Sequence, residues 1–150
     1  MTLLFPDINV WVALSVSGHR HQREAWRWLE SQPKDARLLF ARYTQMGLIR
    51  LLCNPAAMGT EVLPIRAAWA VYDRWTGDAR VLAYPEPRGV EEEMRRISGR
   101  LGRRAGSKWL GDAYLLAFAR QAGAALVTFD EALELFGREV GYDAVRPDGA

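Results

Sequence analysis

Residues 109–130 read WLGDAYLLAFARQAGAALVTFD. From Trp109 the apolar side chains recur at helical spacing, and Gly123 marks the end of the strongest predicted helix in the chain. AALVTF then reads as a short β-rich strand, with Asp130 directly behind it. Asp112 is out of place in this company. It lies among mostly apolar neighbours, in what the spacing makes the second turn, where an aspartate has poor helix propensity. Burying its charge costs several kcal/mol unless something pairs with it.

The strand-then-aspartate pattern also opens the chain. TLLF (2–5) predicts a buried strand with Pro6 at its end, followed by Asp7 and a short helix from INVWVAL. Between the two ends, HRHQREAWRWLES predicts an amphipathic helix packing through Ala25, Trp26 and Leu29. ARLLF and RVLAY read as strands. RYTQMGLIRLLCN, IRAAWAVYDRW and GVEEEMRRISGRL read as helices, and GRRAGS as a basic, glycine-rich loop. DEALELFG gives a last short helix and YDAVR an edge strand. Short strands alternating with helices imply an α/β fold, with a mostly parallel sheet covered by helices on both faces.

Composition sets the outer bounds. At 150 residues, 49% hydrophobic and 25% charged, the chain predicts one folded domain over 1–150. No apolar run approaches the ~18 residues of a membrane span. The first segment lacks a basic stretch and a small-residue cleavage site, so it does not read as a signal peptide. Cys53 is the single cysteine, which excludes a disulfide framework and a cysteine-based zinc site and favours a cytoplasmic home. The net charge of +2 mildly favours a polyanionic partner.

In open α/β sheets ligands bind at the carboxyl ends of the strands, where Asp7 and Asp130 both fall. Either could simply cap the helix that follows. Together with Asp112 they would repel unless a cation joined them, and Mg²⁺ accepts a few carboxylates while keeping several waters. Such a site can generate a hydroxide and stabilise charge on a phosphodiester. Thr128 can hydrogen-bond a carboxylate or the substrate, or serve only as a strand residue.

DINVWVAL, FARYTQMGLIRLLCNP and WLGDAYLLAFARQAG with AALVTFD, in this order and spacing, resemble PIN-domain ribonucleases, above all the VapC toxins of bacterial toxin–antitoxin pairs. The resemblance spans residues 3 to about 140. It implies a three-layer α/β/α sandwich and a Mg²⁺- or Mn²⁺-dependent endoribonuclease that cleaves RNA and is restrained by a cognate VapB-like antitoxin. A homodimer is expected. The family's metal-binding and catalytic acids fall on Asp7, Asp112 and Asp130, and Asn9 matches its Asp-x-Asn-Val pattern, orienting Asp7 or a water. The glutamate that many members carry in the next helix falls, counting back from Asn54-Pro55, on Gly47. Thr44 and Gln45 nearby supply no charge.

The basic run is the second functional candidate. Glu91 and Glu92 sit four residues before Arg95 and Arg96 and can pair with them. Arg100, Arg103, Arg104 and Lys108 have no such local partner and precede the Asp112 helix, so they are expected to contact RNA phosphates. His19 and His21, two apart at a helix start, should point different ways and form no shared metal site. Of six tryptophans, Trp26, Trp69 and Trp109 fit core positions, while Trp11, Trp28 or Trp75 could line a partner surface. Two rivals remain in view. Another Mg²⁺-dependent phosphotransfer enzyme is disfavoured: position 9 is Asn where a haloacid-dehalogenase-like phosphatase needs Asp, Lys108 precedes a helix where a response-regulator receiver domain needs a lysine after a late strand, and GRRAGSK is one residue short of a P-loop and follows no strand. The other is a PIN-fold binding module with a degenerate site, suggested by Gly47.

Overall fold

The computed structural model describes residues 1–147. The single-domain expectation for 1–150 runs past it, and residues 148–150 lie outside the described residues. Four strands, β1 (Leu3–Pro6), β2 (Arg37–Phe40), β3 (Val81–Ala83) and β4 (Ala125–Val127), form a parallel sheet in the order β3-β2-β1-β4. Leu4 lies opposite Leu38 on one side of β1 and Ala125 on the other. Helices α1 (Ile8–Ser15) and α2 (Gln22–Glu30) carry the chain from β1 to β2. α3 (Arg42–Leu52), the short α4 (Pro55–Met58) and α5 (Ile65–Thr76) connect β2 to β3. α6 (Val90–Gly99) and α7 (Trp109–Ala122) return it to β4, and α8 (Glu131–Glu139) follows.

Strand side chains alternate between two separate cores, as the pleat requires. Leu4, Leu38, Phe40 and Val127 pack under the helices that follow β1 and β2. Phe5, Leu39 and Leu126 pack against those that follow β3 and β4. The result is the expected α/β/α sandwich. β1 lies between β2 and β4, so the strand order reverses at the β1–β4 pair. That switch point puts Asp7 and Asp130 at one carboxyl edge.

After Asn54-Pro55 the chain forms a further helical turn: Asn54 caps α4 through its side chain, and a 3₁₀ turn follows over Gly59–Glu61. Two local expectations change. YDAVR forms no strand; Val145 makes one parallel bridge to Val127. The tryptophan assignments largely invert. Trp11, Trp28 and Trp75 are buried, Trp26 and Trp109 are half-buried, and Trp69 is 42% exposed. In α2 the buried stripe is Ala25, Trp28 and Leu29, an i, i+3, i+4 set that leaves Trp26 at its margin. In α5 it is Ala68, Val71 and Trp75, which turns Trp69 outward. Trp11 stacks on Phe40 at 3.8 Å and meets Trp75 edge-on at 5.3 Å. Among the described residues no helix is long and apolar enough to cross a membrane.

Candidate active site at the sheet's carboxyl edge

Asp7 both caps a helix and faces the site. Its Oδ1 accepts from the Ile8 amide at 2.7 Å, capping α1. Its Oδ2 accepts from the Thr128 hydroxyl at 2.8 Å and from Asn9 Nδ2 at 3.3 Å. Asn9 spans the switch point: Nδ2 also reaches Thr128 Oγ1 at 3.3 Å, and Oδ1 accepts from the Phe129 amide at 3.2 Å. Thr128 Oγ1 in turn accepts from the Asp130 amide at 3.0 Å. Asp130 caps α8 through Oδ1, which accepts from the amides of Ala132 and Leu133. Its Oδ2 has no protein hydrogen bond among the described residues. Asn9 and Thr128 therefore both hydrogen-bond the same oxygen of Asp7.

Asp112, the fourth residue of α7, is in the first turn of the helix, not the second. It is half-buried. Burial, then the charges of Asp130 and Asp7, push its carboxyl up to about 6, and Lys108 offsets this least. Asp7 is also raised: burial outweighs the Thr128 and Ile8 hydrogen bonds that favour its carboxylate, and the Asp130 charge adds to it. The three carboxylates thus feel one another across the sheet edge. Among the described residues no three His, Cys, Asp or Glu side chains close up enough to hold an ion by themselves. The donor set is all oxygen and its negative charge is poorly offset. That suits a hard divalent cation which keeps part of its water shell.

Tyr43, in the first turn of α3, is a site residue that sequence reasoning missed. Burial and the charges of Asp7 and Asp112 keep its phenol protonated. A Cβ at Gly111 would collide with its hydroxyl, so the glycine beside Asp112 makes room for it. The sequence signal was that glycine one residue before the odd aspartate. Gly47 also has a packing reason. A Cβ there would lie 2.6 Å from Ile8 Cγ1, so Ile8, next to Asp7, occupies the space any side chain at 47 would need.

The basic run is only partly free. Arg104 pairs with Glu139 at 2.8 Å and Arg100 donates to the Glu139 carbonyl at 3.1 Å, partners that lie on α8 and are remote in sequence. Arg103 has no acidic partner among the described residues, and Lys108 sits over the Trp109 ring. Arg95 pairs with Glu91 as expected, but Arg96 takes Glu93 at i,i+3 instead of Glu92. His19 and His21 precede α2 in a loop rather than lying on a helix. His19 Nδ1 accepts the His21 amide at 3.0 Å, and the His21 ring stacks on Phe129.

The PIN domain family's sequence pattern matches residues 4–139. Ribonuclease VapC41 of Mycobacterium tuberculosis is 41% identical over 139 residues, covering 90% of this chain and 94% of that protein. The chain is a PIN-domain protein of the VapC family. Among solved structures, VapC20 of Mycobacterium tuberculosis, a sarcin–ricin loop cleaving toxin, resembles this VapC protein with a TM-score of 0.67. It is 21% identical, with 95% of this chain and 98% of that one covered. VapBC2 of Rickettsia felis, bound to a DNA fragment from its promoter, matches at 0.69 with 12% identity, covering 97% and 98%. VapBC-1 of nontypeable Haemophilus influenzae matches at 0.66 with 17% identity, covering 95% and 98%. At these identities the structural likenesses show the fold alone. PIN-domain ribonucleases of the VapC kind are generally divalent-metal dependent.

Proposed function

We propose that this VapC protein is the toxin of a type II toxin–antitoxin pair, an endoribonuclease that hydrolyses RNA phosphodiester bonds with Mg²⁺ or Mn²⁺. It acts as one nuclease domain over residues 1–150, in the cytoplasm, as a homodimer restrained by a VapB-like antitoxin. The observation that carries the chemistry is Asp112: a half-buried carboxylate pushed up to about 6 by burial and by Asp130 and Asp7, with only Lys108 opposing. A fold does not keep such repulsion for its own stability. The VapBC assemblies among the structural relatives support the antitoxin.

Asp7, Asp112 and Asp130 would hold the cation, each directly or through water. Bound there, it supplies an activated water and neutralises charge on the phosphodiester. Thr128 and Asn9 fix the rotamer of Asp7. Asp130 keeps Oδ2 available because its cap uses only Oδ1. Tyr43 keeps its phenolic proton and can donate it to a phosphate oxygen beside Asp7 and Asp112. Arg103 and Lys108 would neutralise the RNA backbone before α7, while Arg100 and Arg104 would reach it only by leaving Glu139.

Purified protein incubated with total RNA in Mg²⁺, Mn²⁺ or EDTA tests this. Discrete fragments in metal and intact RNA in EDTA are expected. Intact RNA in both metals would refute the nuclease reading. It would favour the second one, a binding module with a degenerate site, to which the Ile8-filled space at Gly47 already gives some weight.

A further inference from the structure

The carboxyl edge of the sheet continues past the aspartates to the ends of β2 and β3, where a cavity of about 430 Å³ opens. Phe40 and Ala83, the last residues of these strands, form its floor, and Tyr72, Tyr84 and Tyr114 stand around it. Arg42 and Glu86 also line it. Arg42 is exposed, and its guanidinium is held by a neutral group: Nη1 donates to Gln45 Oε1 at 2.7 Å, with Gln45 itself only 6% exposed. Among the described residues no carboxylate lies within ion-pair distance of Arg42. An arginine positioned by an amide keeps its whole charge available to an anion.

Ring contacts lead from the cavity's lining towards the candidate active site. Tyr114 lies two residues after Asp112 on α7, and its ring meets that of Tyr43 edge-on at 5.2 Å. Tyr43 in turn feels Asp7 and Asp112. Three tyrosine rings, an arginine with no carboxylate partner among the described residues, one opposing carboxylate in Glu86 and a volume within the roughly 300–1,000 Å³ of small-ligand pockets match one unpaired nucleotide.

We propose that this cavity is a subsite for the nucleotide adjoining the scissile phosphate, with Arg42 on a phosphate oxygen and the base stacked on Tyr84. The proposal rests on the ribonuclease reading for its substrate, but binding can be measured apart from cleavage. Stacking on tyrosine tolerates every base, so the subsite holds the strand in place without reading its sequence.

The probe is a fluorescein-labelled, unstructured 12-nucleotide RNA, followed by anisotropy with the full chain in EDTA over a range of salt. Cleavage of the same RNA in Mg²⁺ and Mn²⁺ is measured in parallel. Arg42→Ala should weaken binding and reduce the magnitude of the log–log salt slope by about 0.7, the value for one phosphate contact to a single strand. Tyr84→Ala should weaken binding roughly 5- to 150-fold, the range for one lost base stack, while Tyr84→Phe keeps the ring and should bind about as wild type. Equal weakening by Tyr84→Ala and Tyr84→Phe would count against a stack. If the wild type cleaves RNA but Arg42→Ala and Tyr84→Ala change neither binding, slope nor kcat/KM, the subsite is overturned and the nuclease reading stands. If the wild type binds RNA in an Arg42-dependent way but cuts nothing, the subsite stands and the nuclease reading falls. No binding and no cleavage ends both.

Discussion

Asp112→Asn removes a charge and keeps the shape of the side chain, so it separates repulsion from packing. A carboxyl raised from 3.8 to about 6 corresponds to a ceiling of about 3 kcal/mol against the folded, ionised state. The residue is only partly buried, and screening brings the figure down to about 1 kcal/mol. The folded protein binds this proton more tightly than the unfolded chain does. The stability associated with it is therefore full below pH about 4 and lost as pH rises through about 6. Metal-free Asp112→Asn should then be more stable than wild type above pH 6, by roughly 2–4 °C in Tm for a chain of this length. The difference should vanish near pH 4. Saturating metal should reverse the order. Wild type gains about 2.7 kcal/mol when metal stands 100-fold above its Kd, and the variant, short of one carboxylate, gains less. Thermal melts from pH 4 to 8, in EDTA and in Mg²⁺, measure both effects, with RNA cleavage followed beside them. An Asp112→Asn protein that melts lower in EDTA at pH 8 and still cuts RNA in a metal-dependent way would refute the assignment.

Thr128→Val removes the 2.8 Å hydrogen bond that favours the Asp7 carboxylate, so Asp7 should be raised further. A loss of roughly 1.5–3 kcal/mol is expected at pH 8, and less in acid once Asp7 is protonated, read from denaturant curves at the two pH values. Gly47→Ala should lose about 1–3 kcal/mol by forcing Ile8 aside, and Ile8→Ala in the same chain should recover part of it. Two additive losses in that double-mutant cycle would show that the two positions are not coupled. Replacing Arg100, Arg103, Arg104 and Lys108 together by alanine should lower the RNA salt slope by about 1.4, the value for two contacts, because Glu139 already holds Arg100 and Arg104. An unchanged slope would return all four to an ordinary solvated surface.

The sequence by itself determined the elements and the acids. Strand-then-aspartate at LLFP-Asp7 and LVTF-Asp130, and an aspartate in the apolar run after Trp109, are local patterns readable from side-chain type and spacing. They located the parallel sheet, its carboxyl edge and the three carboxylates, and with DINVWVAL and FARYTQMGLIRLLCNP they pointed to the family. What periodicity could not decide was which side of each helix meets the sheet. A 3.6-residue repeat marks a stripe but not its exact centre, so Trp26 and Trp69 were exchanged for Trp28 and Trp75. Pairing across distance was also hidden: Arg104 finds Glu139 only because α8 returns beside the loop before α7. Tyr43 lies near Asp7 and Asp112, and Arg42 lines the neighbouring cavity, for the same reason. Their places depend on α3 starting at the carboxyl end of β2, next to β1, and strand order is a property of the assembled sheet that no single segment encodes.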